Sequence, residues 1–503
     1  MKKIKTILLF GLIMILSISI FSANEPKGEA IYGGEVVVAI PQDPDYLDPH
    51  RAAASGTYEI MFNVFEGLLK PDSNGGARPA VAKGYEVSDD GLTYTFEIRD
   101  DVYFHNGEKV TLEDIKYSYE RLMGVNGEAL SSDFEGSVES VKIIQPNKIR
   151  FELKETDTTF LFNFTESILP KSNDGQHNIN PIGTGPFKFV EYLPGQRIVI
   201  EKFDKYWDEK LPYLDKVEFR IITDPQASLI AFQAGEIDMI PRLGAQYINL
   251  IGNNGYIISG EQNLIQILAL NLNREPFDDV RVRRAMSYAI DKDLLIQAVA
   301  DGYGTKLGSN MSPVMGKYFK EGLADKYSVN IEKAVELLEE AGYPNGFETT
   351  ITVPSNYKFH VDTAQVIVEM LKQIGVKAKI EQIEWGVWLD RVYAGRDFDS
   401  TIIGFTGKLS AYDILKRYIS DYSRNFLNYN NPEYDRLLKA AVKETDTEKS
   451  IELYKQAQVI LSEDLPAIFL MDPNFIVALQ NNLAGYTLYP LYIQDMAVIH
   501  YVK

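Results

Sequence analysis

Short apolar runs punctuated by glycine, proline and acidic turns dominate the chain, and their period alternates between that of a strand and that of a helix. "GGEVVVAI" (33–40) predicts a short strand opened by glycines, and "PDYLDPH" after it a Pro/Asp turn region. In "YEIMFNVFEGLL" (58–69), Ile60, Val64 and Leu68 fall at helical spacing, so a helix is expected there, closing near Gly67 and Pro71. "LTYTFEI" (92–98) alternates as a strand, and "VYFHNGEKV" reads as a hairpin around Asn106-Gly107. "TLEDIKYSYERLM" (111–123) predicts a helix with Thr111 as N-cap and Asp114 completing an acidic capping box.

The same alternation continues to the C-terminal third. Two strands flank Pro194-Gly195, and a proline-started helix at 224–240 is stopped by Gly235 and followed by a strand. "IQILALNLN" (265–273) is apolar without a break and predicts a buried strand. The helix at 280–290 aligns Val282, Ala285, Met286, Ala289 and Ile290 on one face, and another runs over 331–341. "FETTITV", "DTAQVIVEMLKQIG", "VKAKIEQIEW" and "FDSTIIGF" extend the strand–helix order. The class is mixed α/β, with no internal repeat and no low-complexity segment.

The first residues do not belong to this pattern. "MKKIKTILLFGLIMILSISIFSANEP" sets lysines at 2, 3 and 5 before an apolar run from Ile7 to Phe21, then small and polar residues. That order is that of a secretory leader, and the run is shorter than the roughly 20 residues a membrane span needs. Residues 1–23 are expected to be a signal peptide cleaved after Ala23, the alternative being an uncleaved anchor. Loss of Lys2, Lys3 and Lys5 takes the formal charge from −20 to about −23. An acidic chain without a basic cluster argues against nucleic acid and anionic membrane surfaces. The chain has no cysteine, which excludes disulfides, thiolate metal sites, thiol nucleophiles and a lipidated cysteine. With 503 residues, 45% of them hydrophobic, it is long enough for two or three cores.

Candidate chemistry is sparse. "GFTGKL" (404–409) looks like the end of a phosphate-binding loop, but Ile402 stands five positions before Gly407 and Leu409 replaces the required hydroxyl, so it is not one. Histidines 50, 105, 177, 360 and 500 are scattered without metal spacing, and no Gly-x-Ser-x-Gly occurs. No catalytic residue, metal site or cofactor is expected. A glycosidase-like carboxylate pair carries no weight where 71 acidic residues make pairing inevitable.

Several long phrases in order carry a resemblance. "GGEVVVAI…LDPH", "VFEGLL", "PAVAKGYEVSDDGLTYTFEIRDDVYFHNGEKVTLEDIKYSYERL", "IGTGPFKF", "ASLIAFQAGEIDM", "LNLNREPFDDVRVRRAMSYAIDK" and "KAVELLEEAGYPNGF" extend over about 33–347. The chain resembles the periplasmic solute-binding proteins of ABC importers in the oligopeptide/dipeptide/nickel group, extracellular solute-binding family 5. The resemblance implies a large three-part, type II fold, with two lobes joined by a hinge and solute enclosed between them. Lobe one would comprise 24–266 with 480–503, including a family-specific subdomain at about 50–180. Lobe two would be 267–479. The hinge is expected where "IQILALNLN" leaves lobe one and "FIVALQNNLAGY" returns. The implied protein is a periplasmic, non-lipidated monomer that delivers solute to permease subunits at the inner membrane.

Three loops are candidates for solute contact on the same ground. Ser55, Gly56 and Thr57 precede a helix where similar proteins place a cleft loop, although a plain helix cap is equally compatible. Trp385 stands where the family has a tryptophan wall, while Trp388 is expected in the core; two of only three tryptophans cluster here. Peptide-binding relatives read Gly-Trp-x-x-Asp after one strand, the aspartate pairing the peptide ammonium. Here Phe405, Thr406, Gly407 and Lys408 follow Gly404, reversing that charge, and Asp413 could substitute only in a rearranged loop. Dipeptide binders also carry an arginine near the helix that here begins about Val361, and this chain offers none. An oligopeptide is the first solute class implied; an oligosaccharide, an anionic metabolite or a metal complex remains open, with a secreted hydrolase as a distant alternative and a structural or adhesive role a distant third.

Overall fold

The computed structural model describes residues 25–125 and 127–503, so the expected leader over 1–23 lies outside the described residues. Among the described residues no helix is long and apolar enough to cross a membrane.

One twelve-stranded sheet organises the molecule. From one edge its strands run Lys377–Ile383, Glu348–Pro354, Ser400–Thr406, Leu264–Leu270, Ala467–Gln480, Met239–Ile240, Glu35–Ile40, Lys216–Ile221, Arg197–Lys202 and Phe187–Leu193. Gly255–Glu261 and Gly304–Lys306 add to the long strand Ala467–Gln480. That strand serves both halves. Its Ala467–Met471 portion pairs antiparallel with Leu264–Leu270, and Asn474–Gln480 pairs antiparallel with Gly255–Glu261. The chain therefore passes between the halves twice, at Gln262–Asn263 and at Asp472–Pro473. Both crossings lie earlier than the sequence suggested, and 474–479, expected in lobe two, pair with the first half.

Each half has its own core. In the first, Val36, Val38, Phe187, Ile198, Val217 and Met239 are fully covered. In the second, separate clusters fill the two faces of the sheet, one around Ile267, Trp388 and Tyr434 and one around Leu268, Ile351 and Ile402. A four-stranded antiparallel sheet (82–87, 93–98, 138–144, 148–153) holds a further aromatic core in which Phe96, Phe151 and Phe164 meet edge to face. The helix Leu112–Met123 begins with the expected capping box. Thr111 Oγ1 accepts from Asp114 N at 3.2 Å, and Asp114 Oδ2 accepts from Thr111 N at 3.0 Å.

The helix expected over 58–69 is instead Ser55–Met61. Asn63 ends it, because its Nδ2 donates to the carbonyls of Glu59, Ile60 and, far along the chain, Gln494. Downstream, a Cβ on Gly67 would come within 2.5 Å of the Phe164 carbonyl, so the chain passes there as closely packed loop. The apolar spacing that suggested a helix arises from burial on two sides. Val64 and Phe65 enter the first-half core, and Leu68 enters the aromatic one.

Candidate functional site

Three neighbouring strands of the second half, Glu348–Pro354, Lys377–Ile383 and Ser400–Thr406, run parallel, so their C-terminal loops emerge together. Such strand ends are where open α/β sheets present ligand-binding loops. Trp385 is half-buried there, stacked on the buried Trp388 at 5.2 Å and meeting Tyr357 edge-on at 5.3 Å. Trp388 is held in the core by its Nε1 donating to Thr401 Oγ1 at 2.9 Å. Beneath them His360 is buried beside Gln266, whose Nε2 lies 3.0 Å from His360 Nδ1, and burial lowers the imidazole to about 4. That ring is neutral at physiological pH.

The "GFTGKLS" loop closes this wall. Thr406 ends its strand exposed, and Lys408 is exposed two residues on. Gly407 has a steric reason: a Cβ there would stand 2.0 Å from Asn263 Cγ. Asn263 itself sits at the first crossing in the left-handed region, φ 61°. Its Nδ2 donates to the carbonyls of Lys408 and Pro490, each at 3.2 Å, so one amide ties the loop to the C-terminal segment. The second crossing clips the first. Asp472, fully buried, accepts from Asn263 N at 3.0 Å and Leu264 N at 3.1 Å. Burial pushes its carboxyl up to about 7 against those donors.

Phe405 is a correction. Expected to pack on solute, its ring is only 9% exposed and lies in the second-half core, with Phe426 edge-on at 6.2 Å. The alternation of Ser400–Thr406 turns Ile403 and Phe405 to that core, and the Arg417 guanidinium covers the ring at 3.7 Å. Asp413 is also engaged: its carboxylate pairs with Lys416 at 2.5 Å.

From the first half, Ser55 and Gly56 line a cavity of about 90 Å3 with Gln42, Glu59 and Arg242. Thr57 points away from it, buried, its hydroxyl donating to Asp45 Oδ1 at 2.6 Å. Asp45 also accepts from Ala53 N and Ala54 N, so the helix start is fixed by Asp45 and not by capping from Ser55. Glu59 is buried and paired with Arg242, whose guanidinium lies 4.2 Å over the Tyr492 ring. Burial raises the Glu59 carboxyl, and the arginine opposes that rise. Arg242 has φ 60°, a left-handed conformation that a non-glycine residue holds only where its surroundings fix it.

The two halves touch around these groups. The carbonyl of Val442 accepts from Thr158 N at 2.9 Å and Thr158 Oγ1 at 3.1 Å. Lys443 pairs with Glu155 at 2.7 Å, and Lys416 reaches Asp133 at 3.8 Å. Half-buried Glu166 is pushed up to about 7 by burial, and the nearby Lys408 charge draws it back down. A carboxylate of the other half therefore lies within reach of the Lys408 charge. Among the described residues no cluster of three or more His, Cys, Asp or Glu could hold a metal ion.

Glu59, Arg242, Tyr492, Glu166 and Arg417 were not among the residues the sequence singled out. Glu59 and Arg242 meet across 183 positions, a distance no local pattern spans. The "DP" at 472–473 inside an apolar run is a local signal that could have located a crossing.

Comparison with known proteins gives a consistent result. The profile of the family described as "Bacterial extracellular solute-binding proteins, family 5 Middle" matches residues 76–426. The chain is 29% identical over 537 residues to oligopeptide-binding protein AppA of Bacillus subtilis, covering 97% of each chain. It is 30% identical over 451 residues to heme-binding protein A of Haemophilus influenzae, covering 82% of each. Among solved structures, the periplasmic binding protein DppA of Helicobacter pylori, in complex with the peptide STSA, superposes with a TM-score of 0.78. The two are 27% identical, over 94% of this chain and 99% of that one.

Proposed function

This chain belongs to family 5 of the bacterial extracellular solute-binding proteins, and on that premise we propose that it captures a short peptide between two lobes and delivers it to the permease of an ABC importer. The lobes are 25–261 with 474–503, and 264–471. This moves the return boundary expected at 479 to the Asp472–Pro473 crossing. The protein is exported to the periplasm by its leader, carries no lipid and acts as a monomer.

The observation that carries the solute-binding reading is the double crossing at Gln262–Asn263 and Asp472–Pro473 beneath walls bridged by polar contacts at Thr158–Val442, Glu155–Lys443 and Asp133–Lys416. Two bodies joined by short crossing segments and bridged by a few polar contacts can close by a hinge. Trp385 and Tyr357 supply flat apolar surface on one wall, and the exposed loop Thr406–Lys408 supplies backbone groups and a cation. The peptide class has support from the likeness to AppA and DppA.

A second reading, a non-peptide solute bearing negative charge, is favoured by one observation: Lys408 stands where peptide-binding relatives are expected to carry aspartate. Thermal melting with separate pools of peptides, oligosaccharides and metal chelates decides between them. A ligand at a hundredfold excess over Kd stabilises the native state by about 2.7 kcal/mol, which reads as an upward melting shift of a few degrees. Peptide hits alone support the proposal; hits confined to another pool, or turnover of the hit compound, overturn it.

A further inference from the structure

The second-lobe wall contains a cation that the protein itself does not use. Arg417 is half-buried, and its guanidinium lies flat over Phe405, 3.7 Å from the ring centroid. Among the described residues it has no carboxylate within ion-pair distance and no hydrogen bond. Two other arginines of the second lobe are engaged. Arg283 donates to the carbonyls of Asp464, Phe277 and Asp278, and Arg391 pairs with Glu381. A guanidinium carries five N–H donors in a fixed fork, and partial burial without an acceptor is costly. Stacking on an aromatic ring orients the fork without using its donors.

The surroundings indicate what the fork would meet. Its neighbour Lys416 is already engaged by Asp413 and by Asp133 of the opposite lobe, so the turn carrying Arg417 faces the first lobe. Phe405, which Arg417 covers, is three residues before Lys408 on the same strand end. Near Lys408 the first lobe brings half-buried Glu166, with Asp133 close by.

We propose that Arg417, held by Phe405 and assisted by Lys408, is the receptor for a carboxylate of the bound solute, so that the ligand is a peptide with a free C-terminal or acidic side-chain carboxylate. This deepens the solute-binding reading above and rests on it. A planar fork recognises a carboxylate through two parallel hydrogen bonds, which a point charge does not reproduce.

The test uses the full mature chain and two mixed tetrapeptide libraries, one of free acids and one amidated at the C-terminus with Asp and Glu excluded. Library members retained by the protein are found by native mass spectrometry, and the best binder is titrated by calorimetry in acid and amide forms. The wild-type protein is expected to prefer the free acid by about 10- to 150-fold. Arg417→Gln should lose that preference by weakening acid binding and leaving amide binding within about twofold; Arg417→Lys should restore only part of it. Melting curves establish that the variants fold, and the wild-type acid-to-amide ratio needs no variant. Equal wild-type affinity for acid and amide overturns this inference while leaving peptide binding intact, as does an acid preference that survives in Arg417→Gln. Retention of neither library overturns the peptide reading itself, and this inference with it.

Discussion

Replacing Asn263 with alanine strips the first crossing of its side-chain ties, including the contact of its Nδ2 with the core Met315 Sδ at 3.4 Å. The Nδ2 bonds to Pro490 O and Lys408 O, each 3.2 Å, are lost together. The Pro490 bond is buried, and leaving its carbonyl without a donor costs roughly 1–3 kcal/mol; the half-buried Lys408 bond contributes about 0.5–1.5 kcal/mol. Alanine must also hold φ 61°, a left-handed conformation worth about 1–2 kcal/mol against an L-residue. Part of this is returned, because Asn263 Oδ1 is buried without a partner and disappears with the amide. The net expectation is a loss of about 2–4 kcal/mol. Asn263→Gly should lose roughly 1 kcal/mol less, since glycine adopts positive φ freely. Urea unfolding followed by tryptophan fluorescence measures the loss, and hydrogen exchange at the strand Leu264–Leu270 locates it at the crossing. Solute affinity should fall as well, because the Gly407–Lys408 loop is packed on Asn263. An Asn263→Ala protein within about 0.5 kcal/mol of the parent, with unchanged exchange there, would refute the assignment of Asn263 as the tie between crossing and loop.

Lys408→Ala should weaken binding of the identified solute about 10- to 150-fold, the value of one desolvated charge-assisted hydrogen bond, and Lys408→Asp at least as much; unchanged affinity in the alanine variant would make the lysine a solvated side chain only. Glu166, raised from 4.5 to about 7, contributes stability that is fully present below pH 4.5 and lost as pH rises through about 7. The melting difference between Glu166→Gln and the parent should therefore grow in favour of the variant across that window and then level off. A difference that is flat with pH would show that Glu166 ionises normally. His50, His105 and His360 act in the opposite sense. With folded values lowered from 6.5 to about 4, they contribute stability present above pH 6.5 and lost as pH falls through 4. The parent should consequently unfold in acid even after Glu166 is replaced, and a melting temperature that holds to pH 3 would refute their buried neutral state.

Local rules made much of the fold legible. Thr111 and Asp114 cap their helix because both partners lie within one turn, and Pro225 starts its helix because a helix's first residues need no N–H. The assignment of Trp388 to the core held because the apolar neighbours of a strand–helix unit are close in sequence. What the sequence hid depends on distant chain. Asn63 stops its helix where its amide reaches Gln494, and Gly67 passes as loop because the Phe164 carbonyl stands against it. Phe405 was expected at the solute, yet strand alternation against a core assembled from 411–469 turned it inward. The crossings were misplaced by several residues because one fourteen-residue strand serves both lobes, and its apolar text changes only at Asp472-Pro473. Arg417 and Glu166 gained meaning only when the lobes were brought face to face.

The absence of cysteine makes the central claim open to direct measurement. Glu155 and Lys443, exposed on opposite lobes and paired at 2.7 Å, can both be changed to cysteine and spin-labelled without any other site reacting. Pulsed electron–electron resonance then reads the distance between lobes with and without the peptide hit. Hinge closure predicts a long, broad distribution in solute-free protein that collapses to the shortest measurable separation when peptide is added, at the concentration that saturates binding. A distribution that stays the same across that titration would contradict capture by lobe closure.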